Sequence, residues 1–340
     1  MIASFIKVTM RKLLIFLKYG IFSDSIRIDA STICQLRCPT CQKWWQRAGQ
    51  HVNRGYLRFK DFKKFVDKHT GFKKIELSND GEIFLNPELS QIIKYAYRKK
   101  IMLTALTGVN LNDIQEEVIK DLVIYKVKEM RISIDGASEK TYAIYRKNGN
   151  FKKVIENIGR INYYKQQYNS EYPQLTWVFI MFKHNIHEIS YAREIAGKLN
   201  MKFRLSINTD PEFAPLENEM MLDGELIPLS MQRYERRSGG IYHSGMCLSL
   251  WTCPQINWDG KLMGCPCNRS MDFGNVFEEG LRKCLRGEKY VYAKKMLLGK
   301  AKPREDIPCF YCDVYKKMCQ REQFLEIASA KGVFKRLFKV

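Results

Sequence analysis

The sequence predicts an α/β protein, a partial (β/α)6 barrel followed by a small cysteine-rich domain. Short runs that favour strands alternate with longer amphipathic stretches as far as Thr209, and this alternation is typical of parallel βαβ units. Eight of the eleven cysteines then lie between Cys247 and Cys319. With 340 residues, of which 45% are hydrophobic, the chain can bury one large domain and a smaller one.

The predicted strands and helices follow one another in a regular order. The strands are Ser25–Ala30, Lys74–Ser78, Met102–Leu106, Glu129–Ile134, Gln174–Phe182 and Lys202–Ile207. The amphipathic stretches between them predict helices at Phe59–His69, Pro87–Lys99, Leu111–Tyr125, Phe151–Tyr168 and Glu188–Asn200. A doubly wound sheet would show the same alternation. A cysteine-rich loop after the first strand favours the barrel, because barrel active sites lie at the C-terminal ends of strands.

Changes in composition divide the chain into five parts. We predict a basic amphipathic segment at 1–24, a barrel core at 25–210, a linker or lid at 211–246, a cysteine-rich domain at 247–325 and a basic tail at 326–340. The linker is polar and is interrupted by Pro211, Pro215, Pro228, Gly239 and Gly240. Proline and glycine at this density indicate loop structure.

Three cysteines follow the first predicted strand. Cys34, Cys38 and Cys41 have the spacing C-x3-C-x2-C, and three thiolates this close together can hold one soft metal centre. A [4Fe–4S] cluster with three protein ligands leaves one iron open for chemistry. A structural zinc site would need a fourth Cys or His at short spacing, and the nearest histidine is His51. The spacing favours a cluster, with zinc or a chance arrangement as the alternatives.

The triad resembles the signature of the radical S-adenosylmethionine (radical SAM) superfamily, whose usual core is a partial (β/α)6 TIM-like barrel. The resemblance implies a [4Fe–4S] cluster that binds S-adenosylmethionine (SAM) at its open iron, and a reductant such as flavodoxin or ferredoxin. In that family SAM is cleaved to a 5′-deoxyadenosyl radical, which abstracts a hydrogen atom from the substrate. Thr40 stands where many members carry an aromatic residue. That position contacts the adenine largely through its backbone.

Further motifs resemble SAM-binding positions of the same family. The run Ser78–Glu82 is similar to its Gly-Gly-Glu motif, whose acidic end accepts hydrogen bonds from the SAM ammonium group, and Asp80 replaces the first glycine. Ser133 resembles the ribose-contacting position, and Arg146 the arginine that pairs with the SAM carboxylate. The residues implied in SAM binding are Asp80, Gly81, Glu82, Thr107, Asn110, Ser133, Asp135 and Arg146.

A second set of cysteines lies towards the C-terminus. The run from Cys247 to Cys265 predicts two short strands joined by a hairpin turn at Asp259-Gly260, which would bring these two cysteines together. Cys309 and Cys312 form a C-x-x-C pair further on. Four thiolates are enough to close a metal site completely.

This second set is similar to the SPASM and twitch extensions of radical SAM enzymes. The resemblance implies one auxiliary [4Fe–4S] cluster held by Cys247, Cys265, Cys309 and Cys312. A full SPASM domain holds two auxiliary clusters and has a further cysteine downstream, whereas this chain has none after Cys319. A second auxiliary cluster could use Cys253, Cys267, Cys284 and Cys319. A zinc site that holds the C-terminus in place is the structural alternative.

Several other residues have weaker signals. Trp44 and Trp45 could shield the cluster or pack in the core. His184 and His187 are more typical of loops and helix caps than of ligands, and no substrate base stands out beyond the weak candidates Arg204 and Asp210.

The net charge of +21 favours anionic partners, or it reflects lysines spread over the whole surface.

The longest apolar run near the N-terminus is Leu13–Leu17. This run is too short to span a bilayer, so we expect the protein in a reducing cytoplasm. Both chain ends are apolar and cationic, which fits peripheral contact with an anionic membrane. Packing of the N-terminal helix across the bottom of the barrel is the alternative.

The resemblance implies an enzyme, a radical SAM oxidoreductase. A single auxiliary cluster is similar to that of dehydrogenases acting on sugar-like or aminocyclitol alcohols, where the cluster accepts an electron. A peptide maturase that forms crosslinks or epimerises residues is the close alternative. Many of these have an N-terminal leader-binding domain, whereas the first strand here begins at Ser25. A zinc-containing nucleic-acid-binding protein is the remote alternative, and nucleic acid is not the expected partner.

Overall fold

Six parallel strands form the centre of the fold, and they follow one another across the sheet in chain order. The structure is a computed structural model that describes residues 2–41, 53–210, 212–216, 220–222, 225–227, 231–269 and 271–326. The strands are β1 (Ser25–Ile28), β2 (Lys74–Glu76), β3 (Met102–Val109), β4 (Glu129–Ser133), β5 (Gln174–Met181) and β6 (Lys202–Ile207). An order that never reverses is that of a barrel, whereas a doubly wound sheet has a point of reversal. The partial barrel that the sequence predicts is confirmed.

Helices connect the strands and cover their outer face. They are α1 (Ile2–Tyr19), α2 (Phe59–Lys68), α3 (Leu89–Arg98), α4 (Glu116–Ile124), α5 (Glu139–Tyr145), α6 (Phe151–Gln167) and α7 (Ile189–Lys198). The five predicted helices all form, and α5 is an addition that the sequence reading missed. Its start is fixed by Ser138, whose hydroxyl accepts the N–H of Thr141 at 3.3 Å, a typical N-cap contact.

The two faces of the sheet differ in polarity. On β1 and β2, Ile26, Ile28 and Ile75 are fully buried in the hydrophobic core beneath the helices. Because successive side chains of a strand point to opposite faces, Arg27 and Glu76 lie on the inner, concave face. This polar inner face ends at the C-terminal edge of the strands, where the predicted site residues begin.

The second half of the chain contributes to the same sheet. Two short strands, β7 (Met220–Leu222) and β8 (Glu225–Ile227), pair with each other in the predicted linker, and α8 (Met231–Ser238) follows. β9 (Gln255–Ile256) pairs in parallel with β1, and β10 (Leu262–Gly264) pairs antiparallel with β9. The β9–β10 hairpin therefore extends the barrel sheet beyond β1, and among the described strands β1 does not pair with β6.

The predicted first strand of this hairpin is wrong over most of its length. Ser244–Leu248 forms a 3-10 helix and Ser249–Thr252 forms α9. Cys247, Leu250 and Trp251 are all buried, and this spacing of three and four residues matches one face of a helix. The hairpin turn at Asp259-Gly260 does form, and Gly260 has the positive φ of 89° that glycine tolerates there.

Three further helices complete the C-terminal region: α10 (Leu281–Arg286), α11 (Glu288–Leu297) and α12 (Asp313–Arg321). α10 packs against α1. The basic tail from residue 327 onward lies outside the described residues, as do Trp44 and Trp45.

The N-terminal helix α1 packs on the barrel along one face. Ile15 and Tyr19 are each 3% exposed, and the Tyr19 hydroxyl lies 2.8 Å from His69 Nδ1. Arg286 of α10 donates to the carbonyl groups of Leu17 and Lys18 at the end of the helix. Packing of α1 at the N-terminal side of the barrel is thus observed. In the described part of the chain, no helix has both the length and the apolar character needed to span a bilayer.

Candidate active site

The three cysteines of the triad lie in the loop that leaves the C-terminal end of β1. The loop is fixed by backbone hydrogen bonds from Glu82 N to Ile33 O at 2.8 Å and from Arg37 N to Lys147 O at 2.9 Å. Cys38 is buried and Cys41 is exposed. The loop thus presents three sulfur ligands at the edge of the barrel where βα-barrel enzymes carry their active sites.

The surroundings of the triad fit a site for thiolates bound to a metal cluster. Burial raises the pKa of Cys34 to about 12, and the nearby Glu82 carboxylate adds to this effect. Two N–H donors lie close to the sulfur atoms: Asn110 Nδ2 is 3.7 Å from Cys34 Sγ, and Arg146 Nη1 is 3.7 Å from Cys38 Sγ. Burial raises the pKa of Cys38, and the Arg146 charge opposes this effect. Three soft ligands with N–H donors to sulfur are the set that an iron–sulfur cluster uses.

Gly81 is required where the chain after β2 passes the cysteine loop. Its φ is +73°, and a Cβ atom there would lie 2.6 Å from the carbonyl oxygen of Ser31 and from the carbonyl carbon of Thr32. Only glycine meets both constraints without strain. The close approach fixes the distance between the motif Asp80–Glu82 and the loop that carries Cys34.

The two carboxylates beside Gly81 have different partners. Glu82 is fully buried and accepts the backbone N–H of Asn110 at 2.5 Å and that of Phe84 at 3.3 Å. Burial raises the pKa of Glu82 to about 7. Asp80 instead accepts from the guanidinium group of Arg269 at 2.5 Å. Asp80 therefore joins the barrel to the cysteine-rich region.

The predicted SAM-binding residues Thr107 and Asn110 lie on the two sides of the end of β3. Thr107 and Gly108 are inside β3, which continues to Val109, beyond its predicted end at Leu106. Gly108 packs against Ser133, since a Cβ atom at position 108 would lie 2.5 Å from the Ser133 hydroxyl oxygen. Asn110 follows β3, and its Oδ1 accepts from Gln35 at 3.1 Å. Asn110 thus links the end of β3 to the cysteine loop.

Asp135 and Arg146 form a buried ion pair beside Cys38. The Arg146 Nε atom lies 2.6 Å from Asp135 Oδ2, and the side chains are 13% and 0% exposed. The second Asp135 oxygen accepts the N–H of Ile180 at 2.7 Å. Burial alone would lower the pKa of Arg146, but the Asp135 charge outweighs this and holds it well above its ordinary value. A fixed guanidinium next to the triad is suited to bind a carboxylate.

The four cysteines predicted to hold the auxiliary cluster come together, with a fifth beside them. Burial raises the pKa of Cys247, and the charges of Cys312, Cys309 and Cys267 raise it further. The pKa of Cys265 is raised well above its ordinary value, first by a hydrogen bond with Cys267 and then by burial and by the charges of Cys267, Cys247 and Cys309. Within the described ranges, no three Cys, His, Asp or Glu side chains are close enough to hold a single metal ion. A cubane binds each thiolate to a different iron and does not need that closer spacing.

The other candidate residues do not join this group. Cys253 lies near Arg27 and Glu76 on the inner face of the barrel, and Cys284 lies near Glu279 and Lys283. Cys319 is close to Tyr315 of its own helix. The remaining side chains are spread over other elements: Arg204 is on β6 and Asp210 follows that strand, while His184 precedes the short 3-10 helix before α7 and His187 lies within it.

The sequence reading missed Arg269 and gave Cys267 only as a possible ligand of a second auxiliary cluster. Arg269 follows β10 and pairs with Asp80 across 189 positions. Cys267 has a pKa lowered to about 7, first by a hydrogen bond with Cys265, and the charges of Arg269 and Arg27 act in the same direction. Burial raises the pKa of Cys41, the Asp80 charge adds to this effect and the Arg269 charge opposes it. The Asp80–Arg269 pair is therefore within electrostatic reach of both cysteine groups.

Comparison with known proteins defines the class of this enzyme. Residues 28–208 match the family model of the radical SAM superfamily, and residues 247–313 match the SPASM iron–sulfur cluster-binding domain. The chain belongs to the radical SAM superfamily. It is an enzyme with a [4Fe–4S] cluster that binds SAM, and its SPASM domain is a binding domain for auxiliary iron–sulfur chemistry.

Solved structures share this fold at low sequence identity. SuiB from Streptococcus suis bound to S-adenosylmethionine superposes with a TM-score of 0.61 at 13% identity, covering 91% of this chain and 76% of that chain. SuiB bound to the precursor peptide SuiA superposes with a TM-score of 0.59 at 13% identity, covering 91% of this chain and 74% of that chain. BtrN in complex with AdoMet and 2-DOIA has a TM-score of 0.46 at 13% identity, covering 86% of this chain and 93% of that chain. No curated protein sequence matches this chain.

Proposed function

We propose that this radical SAM enzyme oxidises an alcohol group of a sugar-like or aminocyclitol substrate to a carbonyl. The observation that carries the proposal is the Asp80–Arg269 ion pair, which acts on Cys41 of the triad and on Cys267 of the cysteine-rich region. A substrate bound against this pair would lie between the centre that abstracts hydrogen and the centre that accepts an electron. This is the arrangement that an alcohol dehydrogenation needs.

The proposed reaction removes two electrons and two protons from the alcohol. When bound, the triad cluster with SAM supplies a radical that takes the hydrogen atom from carbon, and the auxiliary cluster supplies an acceptor for the second electron. The hydroxyl proton leaves to a base on the enzyme or to solvent. The chain's own part is to bind the alcohol between the two centres and to hold both charges of the Asp80–Arg269 pair away from bulk water.

A single auxiliary cluster is part of the proposal, held by Cys247, Cys265, Cys309 and Cys312. The mutual influence of these thiols on one another's pKa supports it. Cys253, Cys284 and Cys319 have other neighbours. A cluster with four protein ligands is suited to electron transfer, because it has no open iron for a substrate.

The test is anaerobic turnover of cyclic polyols and aminocyclitols with SAM and dithionite. We expect 5′-deoxyadenosine to form with one class of alcohol and the alcohol to lose two hydrogens. Deuterium at the oxidised carbon should appear in 5′-deoxyadenosine. In Cys265→Ala, hydrogen abstraction should continue while carbonyl formation is lost. Deuterium transfer without any carbonyl product in the wild type would refute the dehydrogenase proposal.

A peptide-modifying activity is the second candidate. The complex of SuiB with its precursor peptide has a fold that resembles this one, and at 13% identity the likeness is one of fold alone. We would assign the peptide-modifying activity if a peptide, and no polyol, gave 5′-deoxyadenosine together with a crosslinked or epimerised product.

The partners proposed beyond SAM are a flavodoxin or ferredoxin as reductant and an anionic membrane surface in the cytoplasm. Met10, Leu14 and Leu17 are 51%, 60% and 60% exposed on one side of α1, at the spacing of a single helix face. A cavity of about 480 Å³ beside them is lined by Lys18, Lys68, Glu279, Arg282, Lys283 and Arg286, among others. Exposed leucines beside clustered cations fit an anionic phospholipid surface.

A further inference from the structure

Four polar side chains lie together on the inner face of β1 and β9. Arg27 pairs in register with Gln255, and Asp29 N donates to Ile256 O at 3.0 Å, which brings Asp29 beside Asn257. The isoleucines between them, Ile28 and Ile256, are buried in the core on the opposite face. We call Arg27, Asp29, Gln255 and Asn257 the inner polar patch.

Three members of the inner polar patch are buried and Arg27 is half-buried, and many of the polar atoms in the patch have no partner. Asp29, Gln255 and Asn257 are 0%, 1% and 2% exposed. Among the described residues, no hydrogen-bond partner exists for Asp29 Oδ1 and Oδ2, Arg27 Nε and Nη1, Gln255 Oε1 or Asn257 Nδ2. Each such atom costs about 1–3 kcal/mol when it is left unpaired. Six in one place indicate that a ligand or water completes them.

The neighbouring strand shows that the fold can satisfy polar groups on this face. Glu76 on β2 accepts from the hydroxyl groups of Ser78 and Thr104, at 2.7 and 2.5 Å, and from the N–H of Leu106 at 2.6 Å. Glu76 pairs in register with Arg27. The unpaired atoms are therefore confined to the side of the face next to the cysteine-rich region.

The charges around the patch nearly cancel. Burial raises the pKa of Asp29 well above its ordinary value and the negative Asp80 adds to this, while the positive Arg27, the neighbouring Gln255 side chain and the positive Arg269 oppose it. A strongly charged ligand would meet no complementary net charge. The free groups are instead acceptors and donors side by side, which is the pattern that hydroxyl groups complement, because each hydroxyl both donates and accepts.

We propose that the inner polar patch binds neighbouring hydroxyl groups of an uncharged cyclic polyol, with Asp29 accepting two O–H donors and Arg27 and Asn257 donating to the same oxygens. This inference rests on the proposed function and identifies the substrate class. Neighbouring hydroxyls on a ring offer two O–H donors to one carboxylate. Successive N–H groups of an extended peptide point to alternating sides, so a peptide fits the patch less well.

The experiment measures binding of myo-inositol to the full-length, reconstituted enzyme with SAM by the shift of its thermal midpoint. Cyclohexanol, with one hydroxyl, and triglycine are the comparison ligands. We expect myo-inositol alone to raise the midpoint of the wild type. Asp29→Asn should weaken this binding by about 10-fold or more, since one of the two acceptor oxygens is replaced by an N–H donor. The control Asp121→Asn alters a buried carboxylate on α4, which already accepts from Ser90 at 2.6 Å, and should leave binding unchanged.

A second variant gives a readout without any ligand. Asp29→Leu removes two unpaired acceptors and keeps the same number and branching of side-chain heavy atoms, so we expect its ligand-free thermal midpoint to rise above that of the wild type. A lower midpoint in Asp29→Leu, together with wild-type binding of myo-inositol in Asp29→Asn, would show that Asp29 is structural and overturn the inference. Equal responses to myo-inositol and cyclohexanol would overturn it as well.

Failure of the inference and failure of the proposed function give different results. If a polyol is oxidised and Asp29→Asn has unchanged kcat and KM, the dehydrogenase stands and the patch is not its recognition site. If myo-inositol binds through Asp29 but no polyol yields a carbonyl, the patch stands and the dehydrogenase does not. If no polyol binds and a peptide is modified, both are wrong.

Discussion

Removal of the Asp135 charge tests the electrostatics of the SAM site most sharply. Asp135 is fully buried and its carboxylate lies 2.6 Å from Arg146 Nε. In Asp135→Asn the amide oxygen can still accept the N–H of Ile180, so the main change is an uncompensated guanidinium charge. Breaking one partner of a buried pair costs about 3–5 kcal/mol, and the retained hydrogen bond argues for about 3 kcal/mol.

The assay is anaerobic thermal unfolding combined with SAM binding. A loss of about 3 kcal/mol corresponds to a fall of about 4 °C in the midpoint of a chain of this length. Arg146 also donates to Cys38 Sγ at 3.7 Å, so we expect weaker SAM binding with iron content retained. Arg146→Met should behave similarly.

A double variant tests whether Asp135 and Arg146 stabilise the protein as a coupled pair or independently of each other. Asp135→Leu/Arg146→Met removes both charges together, and replacing a buried pair by apolar groups is often close to neutral. We expect the double variant to be more stable than either Asp135→Leu or Arg146→Met alone. If the two single effects add within about 0.5 kcal/mol, the pair is not coupled and the reasoning is refuted.

Three further predictions address the loop packing, the pH dependence and the membrane face. Gly81→Ala places a side chain at φ +73°, 2.6 Å from the Ser31 carbonyl oxygen; we expect a loss of about 3 kcal/mol in thermal stability and weaker SAM binding. The buried His69 has a pKa lowered to about 4 by desolvation. As pH falls through about 6.5, the histidine therefore binds a proton in the unfolded chain before it does so in the folded protein, and stability decreases from there towards pH 4. Between about pH 7.5 and pH 6.0, the free energy of unfolding of the wild type should fall by about 0.8 kcal/mol more than that of His69→Gln. Leu14→Gln/Leu17→Gln should reduce flotation with phosphatidylglycerol vesicles by about 10-fold or more, because both side chains are 60% exposed.

Each of these predictions has a contradicting result. A stable Gly81→Ala enzyme with normal SAM affinity would mean that the loop can move away. Equal pH profiles for wild type and His69→Gln would mean that His69 titrates normally when folded. Tyr191→Gln, which alters a side chain 55% exposed on α7, is the control for the membrane variant. An equal loss of flotation in that control would remove α1 as the membrane face.

The barrel could be predicted because its signals are local and repeated. The strands of the core are short runs of three to eight residues that include buried or partly buried apolar side chains, and the helices between them carry one apolar face. The triad was visible for the same reason, since its ligands lie within eight consecutive positions. Periodicity and close spacing are properties that a sequence shows directly.

The parts that sequence reading missed depend on contacts between distant segments. Nothing near Arg269 in the chain indicates that it pairs with Asp80, because 189 positions separate them. The run from Cys247 to Thr252 was interpreted as a strand because it precedes the hairpin turn, but Cys247, Leu250 and Trp251 are all buried, at the spacing of one helix face. The inner polar patch likewise exists only because β9 pairs with β1.

Iron and zinc content of the anaerobically reconstituted protein tests the central claim most directly. The samples are the wild type, the variant Cys34→Ala/Cys38→Ala/Cys41→Ala and the variant Cys247→Ala/Cys265→Ala/Cys309→Ala/Cys312→Ala. We predict about eight irons per wild-type chain and about four in each variant, one cubane being lost each time. About twelve irons in the wild type would contradict a single auxiliary cluster, and zinc in place of iron would contradict the radical mechanism itself.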